Sequence, residues 1–494
     1  MRIHFIENTC NANYVAVKFL RQAGVDAHLF YPSDDHFQKN PISEDPSLAR
    51  GLPDWLHPYT RDDIGSNPYL DVPEPFLYQL AQCDLLHAQD VGLVWAAKTG
   101  KPYVWQPHGS DLYFKPFYGY WRERLPWSKT EVLLVVQQIR QAIQGADAIL
   151  IQWWFAAWEK GLELIGDLDC RHRIIHLPFA FVGEQFSPSE RPQLESLLPG
   201  RHLYPNVPIL FHPSRQLLRP DQTEYFGNEK LYCALGQLRR RGHPFLLVVI
   251  EKGNPDEALA KAIIREYGIE PNVVWVPQMP RQRLIDWYRT ADLTICELAG
   301  GSTGSVAIEA MACGCPVMAN FLLQSDKSTF WPPTMVPPII NVDSVESIVA
   351  SLERAIIAPT TISHLRSESR AWVAAYVAGP AIARQYRELY ERVLRSHPNS
   401  PTDPSVSAFD ELTETLDDPH RHFGVTGFDQ QKLLRCAEQL AQESYLQSRQ
   451  SEDLPWICKA LARALVKSTG LNRLIRKHPR LHAGLVRRWK QPSA

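Results

Sequence analysis

The sequence predicts an α/β protein of two doubly wound, Rossmann-like domains facing a cleft, with a helical C-terminal extension. Three observations lead there. Strand-like apolar runs alternate with helix-spaced segments through the first third of the chain, as in a parallel sheet covered on both faces. The alternation restarts at Pro208 and continues to Asn341, which gives a second sheet of the same kind. Residues 297–320 read ELAGGSTGSVAIEAMACGCPVMAN, with glycines and hydroxyls before a run of small apolar residues and a sharp Gly314-Cys315-Pro316 turn. That pattern is a loop feeding the start of a buried helix, where free N–H groups suit an anion, above all a phosphate.

In the first domain Ile3 to Ile6 reads as a strand and Asn13 to Gly24 as a helix, with Gly24 at its C-terminal end. Val25 to Tyr31 is the next strand. Residues 35–75 are rich in Pro, Asp and Ser and read as a long irregular insertion. Strands follow at Asp84 to His87 and Pro102 to Gln106 around a helix from Val91 to Thr99, then at Asp147 to Gln152 and Ile174 to Leu177. In the second domain the strands are Pro208 to His212, Phe245 to Ile250, Val273 to Val276, Leu293 to Cys296, Pro316 to Ala319 and Pro338 to Asn341. The helices are Asn228 to Gly242, Asp256 to Tyr267, Pro280 to Thr290 and the one bearing Glu309. Residues 363–395 read as one or two helices. The expected division is therefore 1–185, 186–375, a returning helix 376–395, a Pro-, Ser- and Asp-rich linker 396–420, and a basic helical extension 421–494.

Composition narrows the function. With 52 basic against 54 acidic residues, the whole chain lacks the positive field of a nucleic-acid binder. The nine cysteines include no CxxC pair, so neither a zinc site nor a disulfide framework is indicated. There is no aspartate-rich metal motif, and no metal or tightly held cofactor is expected. The chain starts directly in a strand-like run, and its longest apolar stretches, such as Ala148 to Trp158, are too short to span a bilayer. A cytoplasmic protein is expected.

In order along the chain, several motifs resemble those of GT-B glycosyltransferases of the family 4 type. Leu86-His87-Ala88 through Pro107-His108-Gly109-Ser110-Asp111 resembles a first-domain section, and IIHLPFAFVGEQFSP from Ile174 one at the boundary between the domains. Val273 to Cys296 resembles a third, and residues 301–317 resemble the donor motif ending in EAMAcG.PV. The resemblance covers about residues 1–395. Three positions depart from it: Gly301 stands where the first of two donor-motif glutamates is expected, Phe226-Gly227 where a Lys-Gly step is expected, and Val182 where the domain boundary usually has Asp.

The resemblance implies transfer of a sugar from a nucleotide-diphosphate sugar to an acceptor hydroxyl, with retention of configuration. Glu309, one turn into its helix, would accept two hydrogen bonds from the ribose diol; its plain alternative is a capping glutamate. Gly300, Gly301, Ser302, Thr303, Gly304 and Ser305 would cradle the diphosphate, glycine allowing close approach and the hydroxyls adding donors. Arg215 would offset charge on the leaving group, with Lys230 as a second cation and Arg219 as its substitute. His108, at a strand carboxyl end, would touch the donor sugar near the reacting carbon. On the acceptor side stand Asn11, Asn13 and the loop-orienting Asp111. The aromatic stretch Tyr113 to Trp127 either lines an acceptor groove or simply packs.

The expected acceptor is a glycan, a lipid-linked sugar or a small molecule, as in glycan biosynthesis. After Asp453 the tail has ten basic residues, from Lys459 to Lys490, interleaved with leucines and no acidic residue. That composition suits an anionic membrane surface and hence peripheral membrane association; a solvated helical hairpin is its alternative, and nucleic acid is not an expected partner. Two other readings of the whole chain remain: a non-catalytic GT-B-like scaffold subunit binding a nucleotide or glycan, and a sugar-nucleotide epimerase on the same fold.

Overall fold

A computed structural model describes residues 1–396, apart from 35–38, 122–126, 152–160, 163–164, 181, 190–191, 193, 199–206, 219–225, 255, 300–303 and 322–335. The linker and the basic extension expected from 397 onward, Arg219, and the cradle residues Gly300 to Thr303 lie outside the described residues, as does part of the aromatic stretch.

The first sheet contains β1 (Arg2–Ile6), β2 (Asp26–Pro32), β3 (Leu56–Tyr59), β4 (Leu85–Ala88), β5 (Tyr103–Trp105), β6 (Ala148–Ile151) and β7 (Ile174–His176). All its pairings are parallel, in the order β3-β2-β1-β4-β5-β6-β7. The second has β8 (Ile209–His212), β9 (Leu246–Glu251), β10 (Val273–Pro277), β11 (Leu293–Ile295), β12 (Val317–Ala319) and β13 (Ile340–Asn341), again parallel, ordered β10-β9-β8-β11-β12-β13. Strands such as Leu85–Ala88 and Ile209–His212 are buried throughout, as helices on both faces require. The longer helices are α1 (Ala12–Gln22), α2 (Glu74–Leu80), α3 (Gly92–Lys98), α4 (Lys129–Gly145), α5 (Asn228–Arg240), α6 (Glu257–Glu266), α7 (Arg281–Thr290), α8 (Gly304–Ala312), α9 (Val345–Ile357), α10 (His364–Tyr376) and α11 (Gly379–Ser396).

Strand order reverses direction between β1 and β4 in the first sheet and between β8 and β11 in the second. Crevices open outside the carboxyl ends at such switch points. The second crossover between the halves, at Val377–Ala378, bridges to the first through a parallel Val182–Ala378 pair. Beyond it α11 lies back on the first domain. Ile382, Tyr386, Leu389 and Tyr390 pack with Val15, Phe19 and Leu20 of α1, and Gly379 lies so close to Phe19 that a Cβ there would overlap its ring.

The structure differs from the sequence expectation in four elements. The insertion 35–75 contains β3, which adds an edge strand beside β2; Pro58 sits in it without breaking it, because an edge leaves one side of the ladder free. Helix α2 begins at the end of that insertion, and helices α4 and α9 also lie outside the sequence expectation. Helices α4 and α9 each open with a capping box, Ser128 with Glu131 and Ser344 with Ser347, a local signal that a reading of apolar runs passes over.

Candidate functional site

At the carboxyl edge of the first sheet the backbone turns sharply after β1 and β4. The non-glycine residues with positive φ among those described are Glu7 (70°), Cys10 (54°), Asn11 (56°) and Asp90 (47°), all in these two turns. Each such residue costs roughly 1–2 kcal/mol, and such outliers gather at functional sites. A buried carboxylate, Glu7, and a half-buried one, Asp90, occupy the same turns. Glu7 accepts from Tyr59 Oη and pairs with Lys39 at 3.5 Å. Asp90 pairs with Lys115. Burial raises the Glu7 carboxyl above the usual range against the pull of Lys39. Burial pushes Asp90 the same way, but Lys115 and Lys39 outweigh it and its pKa falls.

His108 and Asp111 join this edge from the turn after β5. The His108 ring stacks on Phe179 with centroids 4.0 Å apart. Burial drops its pKa to about 3, so the imidazole is neutral at physiological pH, and its buried Nε2 has no partner among the described residues. Asp111 accepts the backbone N–H groups of His108 (2.8 Å) and Gly109 (2.9 Å); burial, then Asp90, raises its pKa to about 6. Asn11 donates to Ser43 Oγ at 3.0 Å and accepts from Asn8 at 2.7 Å. Asn13 is buried, donating to Glu7 O at 2.8 Å and accepting from Gln89 at 2.8 Å. Both amides are thus used in fixing the β1–α1 turn.

The second edge is built from glycine and cations. Gly304 opens α8 at φ 59°, and the Glu297 carboxylate lies 3.4 Å from where its Cβ would be. A carboxylate therefore reaches the start of α8 from four residues before Gly301. Ser305 lies in the first turn of α8. Arg215, on the loop after β8, places its guanidinium 5.2 Å from the centre of the Phe226 ring, while its carbonyl accepts from Asn228 at 2.7 Å. Lys230 is turned elsewhere: its Nζ meets the carbonyls of Leu298 (3.4 Å) and Asp343 (3.3 Å). His108 and Lys230 therefore stand on different networks.

Glu309 is 6% exposed. Its Oε1 takes Arg281 Nε at 3.0 Å and Nη2 at 2.8 Å, and its Oε2 takes Tyr288 Oη at 3.0 Å. Arg281 Nη1 also reaches Glu44 of the first domain at 2.8 Å, and the guanidinium lies 4.6 Å from the centre of the Phe186 ring. Burial raises Glu309 above the usual carboxyl range although Arg281 and Tyr288 oppose it. The carboxylate is thus held in a buried ionic chain, Glu44–Arg281–Glu309, that joins the two domains.

Sequence reasoning did not single out several of these partners: Glu7, Glu44, Asp90, Lys115, Arg281 and Tyr288. A signal existed for Arg281. It shares a stripe with the buried Ile285 and Tyr288 at spacings of four and three, so it occupies a core-facing position of α7. Glu44 had none, since its partner lies 237 residues away.

Residues 223–320 match the family model described as glycosyl transferases group 1. A D-inositol 3-phosphate glycosyltransferase from Acidothermus cellulolyticus is 41% identical over 59 residues, 12% of this chain and 13% of that protein. One from Nocardia farcinica is 38% identical over 96 residues, 18% of this chain and 21% of that protein. The chain thus aligns with less than a quarter of the length of these curated relatives. Among solved structures, HepE of Anabaena in complex with UDP and glucose superposes with a TM-score of 0.53 at 17% identity, covering 79% of this chain and 100% of that one. A glycosyltransferase from Rickettsia africae superposes with a TM-score of 0.56 at 15% identity, over 80% and 99%. These likenesses extend the two-domain fold over nearly all the described residues.

Proposed function

We propose that this chain, which carries a group 1 glycosyltransferase domain on a two-domain GT-B fold, moves a sugar from a nucleotide-diphosphate sugar to an acceptor hydroxyl with retention of configuration. The observation that carries the reading is at the β8/β11 switch point: the Arg215 loop meets the segment leading into α8, where Leu298 N–H donates to Phe226 O at 2.8 Å and the Arg215 guanidinium lies 5.2 Å from the centre of the Phe226 ring, and Glu309 follows on the same helix. HepE, which shares the fold, is described in complex with UDP-glucose. In this reading the ribose diol hydrogen-bonds to Glu309. Because Arg281 and Tyr288 already occupy one side of that carboxylate, the diol takes its remaining lone pairs after Glu44 and Arg281 separate.

The diphosphate lies at the N-terminus of α8, with Gly304 and Ser305 beneath it, as a helix dipole favours. Arg215 offsets the charge that grows on the phosphate as the glycosidic C–O bond breaks. His108, being neutral, can exchange a hydrogen bond with a sugar hydroxyl but carries no proton to give at physiological pH. The acceptor hydroxyl forms the new bond on the same face as the leaving phosphate, whose oxygen takes the hydroxyl proton. No protein nucleophile is needed. The acceptor rests on the first edge, beside Asp111 and the Asn11–Asn13 turn, and closure of the cleft excludes competing water. Residues 421–494 would hold the protein at an anionic membrane surface on the cytoplasmic side; deleting them should abolish liposome binding, and undiminished binding rules that role out. Among the described residues no helix is long and apolar enough to cross a membrane.

The test is incubation with UDP-, GDP- and ADP-sugars and a panel of glycan, lipid-linked and small-molecule acceptors, with the anomeric configuration of any product read by NMR. A second reading, a non-catalytic nucleotide-binding scaffold, is favoured by the ionic chain that occupies Glu309. Tight donor binding with neither hydrolysis nor transfer selects the scaffold.

A further inference from the structure

Among the described residues, neither position expected to supply a second cation to the proposed diphosphate site does so, and Arg219 lies outside them. The sequence resemblance calls for a lysine where Phe226 stands, and the Lys230 ammonium is engaged by two backbone carbonyls. A strand-end lysine that no motif singled out lies on the same crevice edge. Lys252 directly follows β9, which pairs with β8 in register His212–Val249. Its loop is stitched to the Arg215 loop: Gln216 N–H donates to Asn254 Oδ1 at 3.3 Å, and Leu218 N–H to Asp256 Oδ2 at 3.1 Å. The backbone at Lys252 is pinned as well, donating to Glu257 Oε1 at 2.6 Å. The side chain is half-buried and makes no hydrogen bond or ion pair within 4 Å to a described residue. The groups whose fields it feels are Arg215, Glu309, Cys10 and Glu297; Arg215, Cys10 and Glu297 come from the segments after β8, β1 and β11, and Glu309 from within α8. Burial, reinforced by Arg215, lowers its pKa. A half-buried ammonium held beside another cation is complete only when an anion arrives.

We propose that Lys252 binds the donor diphosphate together with Arg215, as the cation that position 226 does not supply. This rests on the nucleotide-sugar reading. The role is electrostatic: the ammonium meets phosphate oxygens and shares with Arg215 the charge released onto the nucleotide. It stands directly after β9, so its position depends on the β8–β9 pairing.

Calorimetric titration of the wild type, Lys252→Ala, Lys252→Gln and Lys252→Arg with UDP, GDP and ADP, and with the matching nucleosides, decides it. For whichever diphosphate binds the wild type, Lys252→Ala should weaken binding about 10- to 100-fold. Nucleoside affinity should stay unchanged, and Lys252→Arg should keep most of the diphosphate affinity. Lys252→Gln keeps the stem and removes the charge, so it shows the same loss if the alanine variant misfolds. Unchanged diphosphate affinity overturns the assignment of Lys252 alone. Equal losses for nucleoside and diphosphate mean that the stem only packs, and overturn it too. If none of the three diphosphates binds the wild type, the nucleotide-sugar reading itself falls and the role of Lys252 falls with it.

Discussion

At the carboxyl edge of the first sheet, the tight backbone belongs to Glu7, Cys10, Asn11 and Asp90; at that of the second it belongs to Gly227, Gly253 and Gly304. Both edges lie at a switch point and both make sharp strand-to-helix turns. The first accepts left-handed backbone at residues whose side chains it needs there. Glu7 and Asp90 enter ion pairs with Lys39 and Lys115, and Asn11 ties the turn to residues 8 and 43. The second removes the side chain, so that backbone N–H groups and the start of α8 can approach a ligand. One edge presents side-chain polarity, suited to reading hydroxyls on an acceptor; the other presents backbone and cations, suited to a diphosphate.

The largest effect that tests this contrast is at Glu309. Glu309→Ala leaves Arg281 buried with Glu44 as its remaining carboxylate. Losing one partner of a buried pair typically costs about 3–5 kcal/mol, so denaturant unfolding should show a loss near the lower figure because Glu44 stays. Donor-nucleotide affinity should fall with it. An unchanged affinity in a folded variant removes Glu309 from the ribose. Lys115→Met is the matching change at the first edge. Its partner Asp90 keeps 26% of its side-chain surface, so the cost should be smaller, about 2 kcal/mol, and should appear in stability and acceptor KM while donor affinity stays unchanged. Loss of donor affinity in this variant would erase the division of labour between the edges.

How much of this was legible follows from the range of the forces involved. Apolar alternation and helix starts are local, so both sheets could be read from the sequence, as could the Glu309 helix. The ionic chain could not. Glu44 and Arg281 lie 237 positions apart, and no local pattern marks residues that meet only after both domains fold. Lys230 shows the opposite failure. Offset from the lysine position the resemblance calls for, it reads as a second cation for the diphosphate, but its ammonium meets Leu298 O and Asp343 O. β3 escapes a sequence reading because an edge strand containing a proline carries a weak strand signal.

The pH dependence should also separate the groups of the first edge. Burial lowers the His108 pKa from 6.5 to about 3, so the unfolded chain binds more protons between those values. Its contribution is full above about pH 6.5 and is lost as pH falls toward 3. Asp111 works in the other direction: its folded value, about 6 against 3.8, disfavours the folded state above about pH 6, and that cost fades as pH falls toward 4. Stability of the wild type should therefore change little near pH 5, where the two oppose, and Asp111→Asn should steepen its loss on acidification. A shallower loss in Asp111→Asn, measured by urea unfolding from pH 7 to pH 4, would reverse the assigned signs.

The smallest predicted effects set the two kinds of turn directly against each other. Cys10 adopts φ 54°, and no side-chain hydrogen bond caps its turn. Cys10→Gly relieves a left-handed conformation costing roughly 1–2 kcal/mol but adds about 0.5–1 kcal/mol of unfolded-chain entropy. Its net effect should be a gain of up to about 1.5 kcal/mol. Gly304→Ala runs the trade backwards: at φ 59°, with Glu297 Oε1 3.4 Å from the new Cβ, strain outweighs the entropy gained, and a loss of about 1 kcal/mol is expected. Gly304→Ala should also weaken donor binding, because a side chain at φ 59° strains the turn that opens α8. Equal signs for the two stability changes would mean that the first edge is not strained at Cys10, and that the contrast between side-chain and backbone edges rests on Glu7, Asn11 and Asp90 alone.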